Sequence, residues 1–364
     1  MKQYKDELLA ACLTFGLGEA LLRLRGLPKR PKPILSLLDE AGQWVRTDEG
    51  ISPYLLHDTE GGPTRLAFEF KPNLELRYDY PRAKLRPYLQ PDGVVQARTN
   101  SQGRRGPEVP REKAPGTRRV VIIGDSNTFG QGVREQDTYV RRLETLLRKE
   151  PTNVEVINGG VSGYASGDCA AYLEERLLSH DPDVVVYGFY LNDVLGSSSL
   201  LELPEFREAA RDYMQMLQPE EATGWRSLHW ARAYRDMRVR RGFKELVRIL
   251  YVSAFAEGAP HWEQCSDTIL EMKRKTEARG GRFLLAVLPL LHDIGPSYPF
   301  LSCHSRIADW CSEHGVDSVD LLEHLNGYRQ ADLQVHVSDN HYNEVAHRET
   351  AQALADKLAL LPGD

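Results

Sequence analysis

The stretch Val120-Val121-Ile122-Ile123-Gly124-Asp125-Ser126-Asn127 joins four aliphatic residues to a Gly-Asp-Ser turn. Four apolar residues in succession predict a strand that is buried on both faces, as in a parallel sheet. Residues 138–149 follow with aliphatic side chains at helical spacing. A serine on such a strand-to-helix turn lies at the carboxyl edge of the sheet, where open α/β sheets bind their ligands. The turn also leaves backbone N–H groups free beside the Ser126 hydroxyl, which suits an oxyanion.

Three more turns of this kind stand downstream, two of them directly after predicted strands. Asn158-Gly159-Gly160-Val161-Ser162-Gly163 follows a strand over 154–157, and Gly188-Phe189-Tyr190-Leu191-Asn192-Asp193 follows a strand over 184–187. Asp339-Asn340-His341 precedes the last predicted helix. Because the carboxyl ends of parallel strands share one edge of a sheet, we expect the four turns to converge.

The four turns, in this order, resemble the motifs of the SGNH (GDSL-type) hydrolases and acyltransferases. The resemblance covers roughly residues 117–364. It implies a three-layer α/β/α fold around a flavodoxin-like, doubly wound parallel sheet. It also implies catalysis without a cofactor or a metal, and the five scattered cysteines show no metal-ligand spacing.

The alternation of predicted elements after residue 117 favours the same fold class. Strands are predicted at 120–123, 154–157, 184–187, 283–288 and 316–319, and helices at 138–149, 166–179, 266–279, 304–314 and 343–360. Such alternation is typical of a parallel sheet covered by helices on both faces. Residues from about 195 to 262 interrupt the pattern and predict a helical insertion that lies as a cap over the catalytic edge.

The resemblance assigns a role to five residues. Ser126 is the predicted nucleophile, which needs an adjacent base because a serine hydroxyl is weakly nucleophilic at neutral pH. His341 is the predicted base, since an imidazole titrates near pH 6.5. Asp339 is the predicted carboxylate that orients His341. The predicted oxyanion hole combines the backbone N–H groups of Ser126 and Gly163 with the side-chain amide of Asn192.

The spacing of Asp339 and His341 departs from the commonest family pattern. Most members place two residues between the Asp and the His, whereas only Asn340 intervenes here. Some SGNH acetyltransferases that modify polysaccharides use the shorter spacing. Asp339 is still the favoured partner, because a carboxylate stabilises an imidazolium better than the neighbouring serine does.

These residues predict a serine esterase or acyl hydrolase that acts through an acyl-enzyme on a small-molecule, carbohydrate or lipid ester. The first alternative is an O-acyltransferase, in which an acceptor hydroxyl replaces water. The motifs leave both open, because water and an alcohol differ only in what the pocket admits. The second alternative is a non-catalytic binding module of the same fold.

Two segments precede the predicted hydrolase domain. Residues 1–33 predict a helix and a basic linker, which suit peripheral contact with an anionic membrane, although packing on the protein is favoured. Residues 34–116 predict a small β-rich extension with strands near 66–70 and 74–78. Within it, the charged stretch 100–106 suits either substrate binding or, as we favour, a solvated loop.

Composition restricts the partners. The net charge of −6 argues against broad nucleic-acid binding, which needs a concentrated basic face. No stretch approaches the roughly twenty apolar residues of a membrane span. We expect a cytoplasmic location, with membrane association or export through the N-terminal apolar segment as the alternative.

Overall fold

The computed structural model describes most of the chain from residue 34 to residue 360. The described residues are 34–39, 41–47, 52–59, 64–80, 93–148, 153–195, 208, 238–239, 241–242, 245–336 and 339–360. The chain divides into two compact units, and every element named below belongs to the larger one, Pro33–Leu200 with Arg248–Asp364. In the other unit only residue 208 and a few positions between 238 and 247 are described, all of them helical.

The described part of residues 34–98 forms short antiparallel strands. They are β1 (Ile34–Leu38), β2 (Trp44–Arg46), β3 (Tyr54–Leu56), β4 (Phe68–Phe70), β5 (Glu75–Asp79) and β6 (Val94–Arg98). One sheet has the order β2-β1-β5-β6, and β3 pairs separately with β4. The ring of Phe70 lies 4.6 Å from that of Phe129 between centroids, so this β-rich segment shares a core with the residues that follow.

Five parallel strands form the central sheet. They are β7 (Thr117–Gly124), β8 (Asn153–Gly160), β9 (Val184–Tyr190), β10 (Arg282–Leu288) and β11 (Ser318–Asp320). Their spatial order β11-β10-β9-β7-β8 is the flavodoxin-like order 2-1-3-4-5 read from the other edge. The residues of β9 are all buried, as the aliphatic run predicts. The predicted fold class is therefore confirmed.

Helices cover this sheet on both faces. The described helices of the larger unit that carry labels here are α1 (Ser126–Phe129), α2 (Tyr139–Leu147), α3 (Ser166–Tyr172), α4 (Pro260–Glu277), α5 (Leu301–Glu313), α6 (Leu321–His324), α7 (Gln330–Leu333) and α8 (Glu344–Leu360). α2 packs on α8, whereas α3 packs on α4. The crossover from β7 to β8, which contains α2, runs in one direction across the sheet, and those from β8 to β9 and from β9 to β10, which contain α3 and α4, run in the other. Because each crossover is right-handed, α2 lies on one face of the sheet and α3 and α4 lie on the other. A hairpin of β12 (Gln334–His336) and β13 (Asp339–Tyr342) stands apart from the parallel sheet.

The predicted insertion over 195–262 falls largely outside the described residues. Its end is described, because α4 begins at Pro260, six residues before the predicted start. Proline is well tolerated at the first helical position. Trp262 is buried, with its ring 5.2 Å from Phe255 and 5.5 Å from Trp310 between centroids, so it belongs to the core.

The N-terminal segment 1–33 lies outside the described residues. Among the residues that are described, no helix is both long and apolar enough to cross a membrane. The same residues contain no group of three or more His, Cys, Asp or Glu side chains able to hold a metal ion. A cytoplasmic location and membrane contact by residues 1–33 stay predictions.

Candidate active site

Ser126 is the first residue of α1 and follows β7 directly. Asp125 is the N-cap of this helix, and its side chain accepts a hydrogen bond from the backbone N–H of Asn127 at 2.8 Å. The helix ends at Gly130, whose φ of 84° is the left-handed conformation that glycine adopts without strain. A single helical turn therefore holds the Ser126 hydroxyl at the carboxyl edge of the sheet.

Glycines at the ends of the central strands bring α1 close to the sheet. A Cβ on Gly124 would lie 2.2 Å from the Thr128 hydroxyl, and one on Gly160 would lie 2.2 Å from the backbone nitrogen of Phe129. Any larger residue at these strand ends would push α1 outward. The backbone itself thus fixes where Ser126 stands.

Arg105 lies at the C-terminal end of α1 and stabilises that end. Its burial contradicts the prediction of a solvated loop over 100–106. Its side chain is buried and donates hydrogen bonds to the carbonyls of Phe129, Gly130 and Val133. Burial lowers the pKa of Arg105 to about 10, so the group stays charged at neutral pH. The prediction was wrong because these carbonyls at a helix end need donors, and a guanidinium supplies several at once.

His341 joins Ser126 to Asp339. Its Nε2 lies 2.8 Å from the Ser126 Oγ, and its Nδ1 is hydrogen-bonded to Oδ1 of Asp339. The same carboxylate oxygen accepts the backbone N–H of His341 at 3.0 Å, a local turn that the short Asp-x-His spacing permits. Three side chains from distant parts of the sequence therefore form one hydrogen-bonded chain.

The hairpin that carries His341 is attached to the Ser126 turn by a second contact. The backbone N–H of Tyr342 donates to Oδ1 of Asn127 at 3.1 Å. A quarter of the His341 side chain remains exposed, whereas Asp339 is 8% exposed. The imidazole can therefore meet a ligand while its carboxylate partner is shielded from water.

Burial opposes charge on Asp339 and His341, but their mutual attraction outweighs it. Burial alone would raise the pKa of Asp339, yet the charge and hydrogen bonds of His341, with the hydroxyl of Tyr80, lower it to about 2. Burial alone would lower the pKa of His341, yet the charge and hydrogen bond of Asp339 raise it above the usual value, with a further contribution from Asp125. Asp339 is therefore ionised at neutral pH and stabilises a proton on His341.

Two further carboxylates near the site, Asp125 and Asp193, make hydrogen bonds with residues close to them in the chain. Asp193 accepts the hydroxyl of Tyr187 at 2.9 Å and the N–H of Tyr190 at 3.2 Å. Burial raises the pKa of Asp125, and burial together with the charge of Asp125 raises that of Asp193. Among the described contacts, the hydrogen-bonded carboxylate partner of His341 is Asp339.

Gly163 lies in the loop that follows β8, and Asn192 lies in the short 3-10 helix Leu191–Val194 that follows β9. Gly163 has a φ of 93°, and a Cβ there would meet the ring edge of Phe68 at 3.6 Å. The N–H of Val161 donates to the carbonyl of Gly124 at 3.0 Å, which ties this loop to the Ser126 turn. Asn192 is half-buried. Both residues thus lie at the predicted edge, and their role as oxyanion donors stays a prediction.

Two other histidines, His347 and His292, lie near the site. His347 accepts the N–H of Tyr139 on Nδ1 at 3.1 Å, and burial lowers its pKa to about 3, so it packs in the core as a neutral acceptor. His292 lies in the loop after β10 and is partly buried. Its Nε2 lies 3.2 Å from Nδ2 of Asn340, the residue before His341 in the chain.

Sequence reasoning missed three side chains that contact Asp339, His341 or the peptide group before Gly163. The hydroxyl of Tyr80 donates to Oδ2 of Asp339 at 2.9 Å, and that of Tyr54 donates to the carbonyl of Ser162 at 3.0 Å. The amide of Gln131 lies 3.4 Å from Nδ1 of His341. Both tyrosines come from the β-rich segment before residue 117, where the alternating pattern indicates strands but not which side chain reaches the site.

Comparison with known proteins places this arrangement in a family. The sequence profile of the GDSL-like lipase/acylhydrolase family matches residues 122–349, more than half of the chain. The chain belongs to this GDSL-like family. The match extends from β7 into α8, so it includes all five predicted site residues.

The chain is also similar to an arylesterase and to two solved structures. An arylesterase of Vibrio mimicus is 31% identical over 77 residues, which are 21% of this chain and 38% of the relative, so the match spans well under half of that protein. The solved structure of TesA is 17% identical, covers 66% of this chain and 98% of its own, and has a TM-score of 0.41. An acetylxylan esterase from Geobacillus stearothermophilus, solved as a catalytic mutant, is 16% identical, with coverages of 66% and 94% and a TM-score of 0.42.

Proposed function

We propose that this GDSL-family chain is a serine esterase or acyl hydrolase that acts through an acyl-enzyme on Ser126. The observation that carries the proposal is the 2.8 Å separation of His341 Nε2 and Ser126 Oγ, with Asp339 on the other ring nitrogen. An imidazole in this position can accept the serine proton as the oxygen attacks a carbonyl. The family match and the arylesterase relative support ester hydrolysis.

The proposed reaction has two half-reactions. Ser126 Oγ attacks the ester carbonyl while His341 takes its proton, and the tetrahedral intermediate then expels the alcohol, which leaves with that proton. His341 next removes a proton from water, the resulting hydroxide attacks the acyl group, and Ser126 recovers its proton as the free acid departs. In both halves the ionised Asp339 stabilises the transient imidazolium.

The proposed oxyanion hole supplies three donors from three strand ends. The N–H of Ser126 stands at the first position of α1, where no intrahelical acceptor exists. Gly163 supplies a backbone N–H, and Asn192 supplies an amide that donates without bringing a charge. Donors fixed in advance on a rigid sheet edge stabilise the oxyanion without having to reorganise.

The proposed substrate is a small-molecule, carbohydrate or lipid ester. Transfer of the acyl group to an acceptor hydroxyl is the second candidate function, favoured by the short spacing from Asp339 to His341. The two reactions share the acyl-enzyme and differ in the nucleophile that resolves it. A purely binding role is disfavoured, because the hydrogen-bonded chain from Asp339 to Ser126 has no use in a protein that only binds.

Turnover of p-nitrophenyl esters of increasing acyl length tests the proposal. Ser126→Ala is expected to lower kcat/KM at least about a thousandfold with unchanged circular dichroism. Ser305→Ala, at an exposed helical serine, is the matched control and should keep wild-type rates. Undiminished turnover by Ser126→Ala would remove this serine from the mechanism.

Product analysis with and without an added acceptor alcohol separates the two candidate functions. Free acid as the main product in both conditions is expected of a hydrolase. Mainly transferred ester, with little free acid, would replace hydrolysis by acyl transfer while leaving Ser126 in its role.

A further inference from the structure

Two tyrosines of the β-rich segment before residue 117 contact the two halves of the proposed catalytic machinery. We propose that this segment forms part of the active site. In it, Tyr80 positions Asp339 and through it His341, and Tyr54 positions the backbone N–H of Gly163. The inference rests on the proposed function, since it concerns how the same reaction is supported. Neither tyrosine lies in the family-matched region 122–349.

Tyr80 completes the hydrogen bonding of the Asp339 carboxylate. Oδ1 of Asp339 receives both the ring and the backbone N–H of His341, and Oδ2 receives the Tyr80 hydroxyl at 2.9 Å. A buried carboxylate needs donors on both oxygens to keep its charge. The Tyr80 hydroxyl therefore restricts rotation of the carboxylate about the Cβ–Cγ bond of Asp339. This fixes the orientation of the carboxylate plane relative to the His341 ring.

The phenol of Tyr80 is itself held in place from several directions. Its side chain is fully buried, and its backbone N–H donates to the carbonyl of Gly93 at 3.0 Å. A Cβ on Gly132, in the loop after α1, would lie 2.4 Å from the Tyr80 hydroxyl oxygen. The His336 ring, in the hairpin that carries His341, lies 5.8 Å from the Tyr80 ring between centroids. Tyr80 thus connects the β-rich segment to the loop after α1 and to the β12–β13 hairpin that carries His341.

Tyr54 acts on the peptide unit that carries the proposed Gly163 donor. Its hydroxyl donates to the carbonyl of Ser162 at 3.0 Å. That carbonyl and the Gly163 N–H belong to one planar, trans peptide group, so they point in opposite directions. A donor that fixes the carbonyl therefore also fixes the direction of the N–H, and hydrogen bonding at one end strengthens the bond made at the other.

Tyr54 is in turn held between aromatic rings of its own segment. Its ring lies 4.9 Å from Phe68 and 5.1 Å from Phe70 between centroids. Tyr164, which follows Gly163, donates its hydroxyl to the carbonyl of Phe68 at 2.6 Å. The Gly163 loop is thus attached to the β3–β4 pair on both sides of the proposed donor.

The two tyrosines are expected to affect different observables. The Tyr80 hydroxyl and the His341 ring both donate to the Asp339 carboxylate. Removal of the hydroxyl leaves more of the negative charge of Asp339 to stabilise the protonated imidazole, so the pKa of His341 should rise. The carboxylate also becomes free to rotate. At low pH kcat/KM decreases because His341 becomes protonated, and this acid limb of the pH profile should move to higher pH in Tyr80→Phe. The maximal rate should also fall. Loss of the Tyr54 hydroxyl should lower kcat without moving the limb.

The acid limb can be assigned to His341 because of the charged and titratable groups that surround it. Asp339 in its own strand and Asp125 at the start of α1 both favour its protonated form. His347 of α8 stays uncharged over the working range, because burial lowers its pKa to about 3. Of these groups, Tyr80→Phe affects Asp339 through the hydrogen bond that it removes, and the Tyr54 hydroxyl bonds to the Ser162 carbonyl instead of to any of them.

The experiment compares Tyr80→Phe and Tyr54→Phe with Tyr328→Phe in the full chain. Tyr328 is a matched control, since its hydroxyl donates to a carboxylate oxygen of Glu349 at 3.1 Å and contacts none of the proposed site residues. Active-site titration with a phosphonate counts competent sites, so the rates are expressed per folded enzyme. We expect kcat/KM to fall roughly fivefold to tenfold in the first two variants and to stay unchanged in the control.

The outcomes separate the inference from the proposed function. If Ser126→Ala is inactive but both tyrosine variants behave like Tyr328→Phe, the inference is overturned and the proposed function stands. A lower rate for Tyr80→Phe with an unmoved acid limb would reduce Tyr80 to a structural role. If Ser126→Ala retains turnover, the proposed function fails first.

Discussion

The nucleophile side and the base side of the proposed site are built in different ways. Ser126 stands on the turn that follows β7, the strand that lies between β8 and β9 in the central sheet, and glycines there let α1 pack directly on the sheet. Asp339 and His341 stand on a hairpin outside that sheet, whose pairing has an irregular register. Backbone packing therefore fixes the nucleophile, whereas side-chain hydrogen bonds from distant segments fix the base. The base side should be the more sensitive of the two to the loss of single side chains.

The largest effect that this comparison predicts is that of Asp339→Asn. The carboxylate raises the pKa of His341, so its loss should lower that pKa and move the acid limb of kcat/KM to lower pH. In the wild type, activity falls as pH decreases through a His341 pKa above the usual value of about 6.5. We expect kcat/KM to fall about a thousandfold, because the amide holds the imidazole in the wrong tautomer.

Asp320→Asn is the matched control for this change. Asp320 accepts a hydrogen bond from Nδ1 of His304 at 2.8 Å, which is an Asp–His pair without a serine. Stopped-flow rates from about pH 5 to about pH 9 should be those of the wild type. An Asp339→Asn profile that matched this control would show that the base side works without its carboxylate.

The next effect concerns the nucleophile side. Asn192→Ala removes one proposed oxyanion donor, and we expect kcat to fall about a hundredfold with little change in KM. The acid limb should stay in place, because His341 keeps its partner. Asn153→Ala is the control, since Asn153 begins β8 and its amide donates to the hydroxyl of Thr117 at the start of β7, at the edge of the sheet opposite to the site. Equal rates for the two variants would exclude Asn192 from the site.

The smallest effect on the rate is expected for Arg105→Met, which tests how the nucleophile side is supported. The change leaves three buried carbonyls without their donor and should lower the free energy of unfolding by about 3 kcal/mol, measured by urea denaturation. The turnover of folded enzyme should fall less than about tenfold, because the glycine packing of α1 persists. Arg279→Met, at an exposed arginine that donates to a single carbonyl, should cost less than about 1 kcal/mol. Equal losses would mean that Arg105 does not support the turn.

Much of the fold could be predicted from the sequence, because its signals are local. The aliphatic runs at 120–123 and 184–187 are buried strands, and their alternation with helices leads to the doubly wound sheet. Boundaries were less accurate where a local exception applies, as at Pro260, where a helix begins with a residue that usually ends one. Residues 1–33 and most of 195–262 fall outside the described residues.

The proposed site divides in the same way. Ser126, His341 and Asp339 could be named because short motifs mark them, and the structure brings the three together. Arg105, Tyr80 and Tyr54 could not, because each acts on a partner that is distant in the chain, the tyrosines by more than a hundred residues. A hydroxyl or a guanidinium that binds a distant carbonyl or carboxylate leaves no local pattern. The contacts that support a site are thus harder to predict than the groups that react.

Reaction with a p-nitrophenyl alkylphosphonate, followed by mass spectrometry at a series of pH values, tests most directly whether Ser126 is a nucleophile activated by His341. The account predicts a single adduct on the peptide that carries Ser126. Its rate of formation should fall on acidification through a pKa above about 6.5, since His341 must be uncharged to accept the serine proton. An adduct on another residue, or labelling of Ser126→Ala at the wild-type rate, would contradict the account.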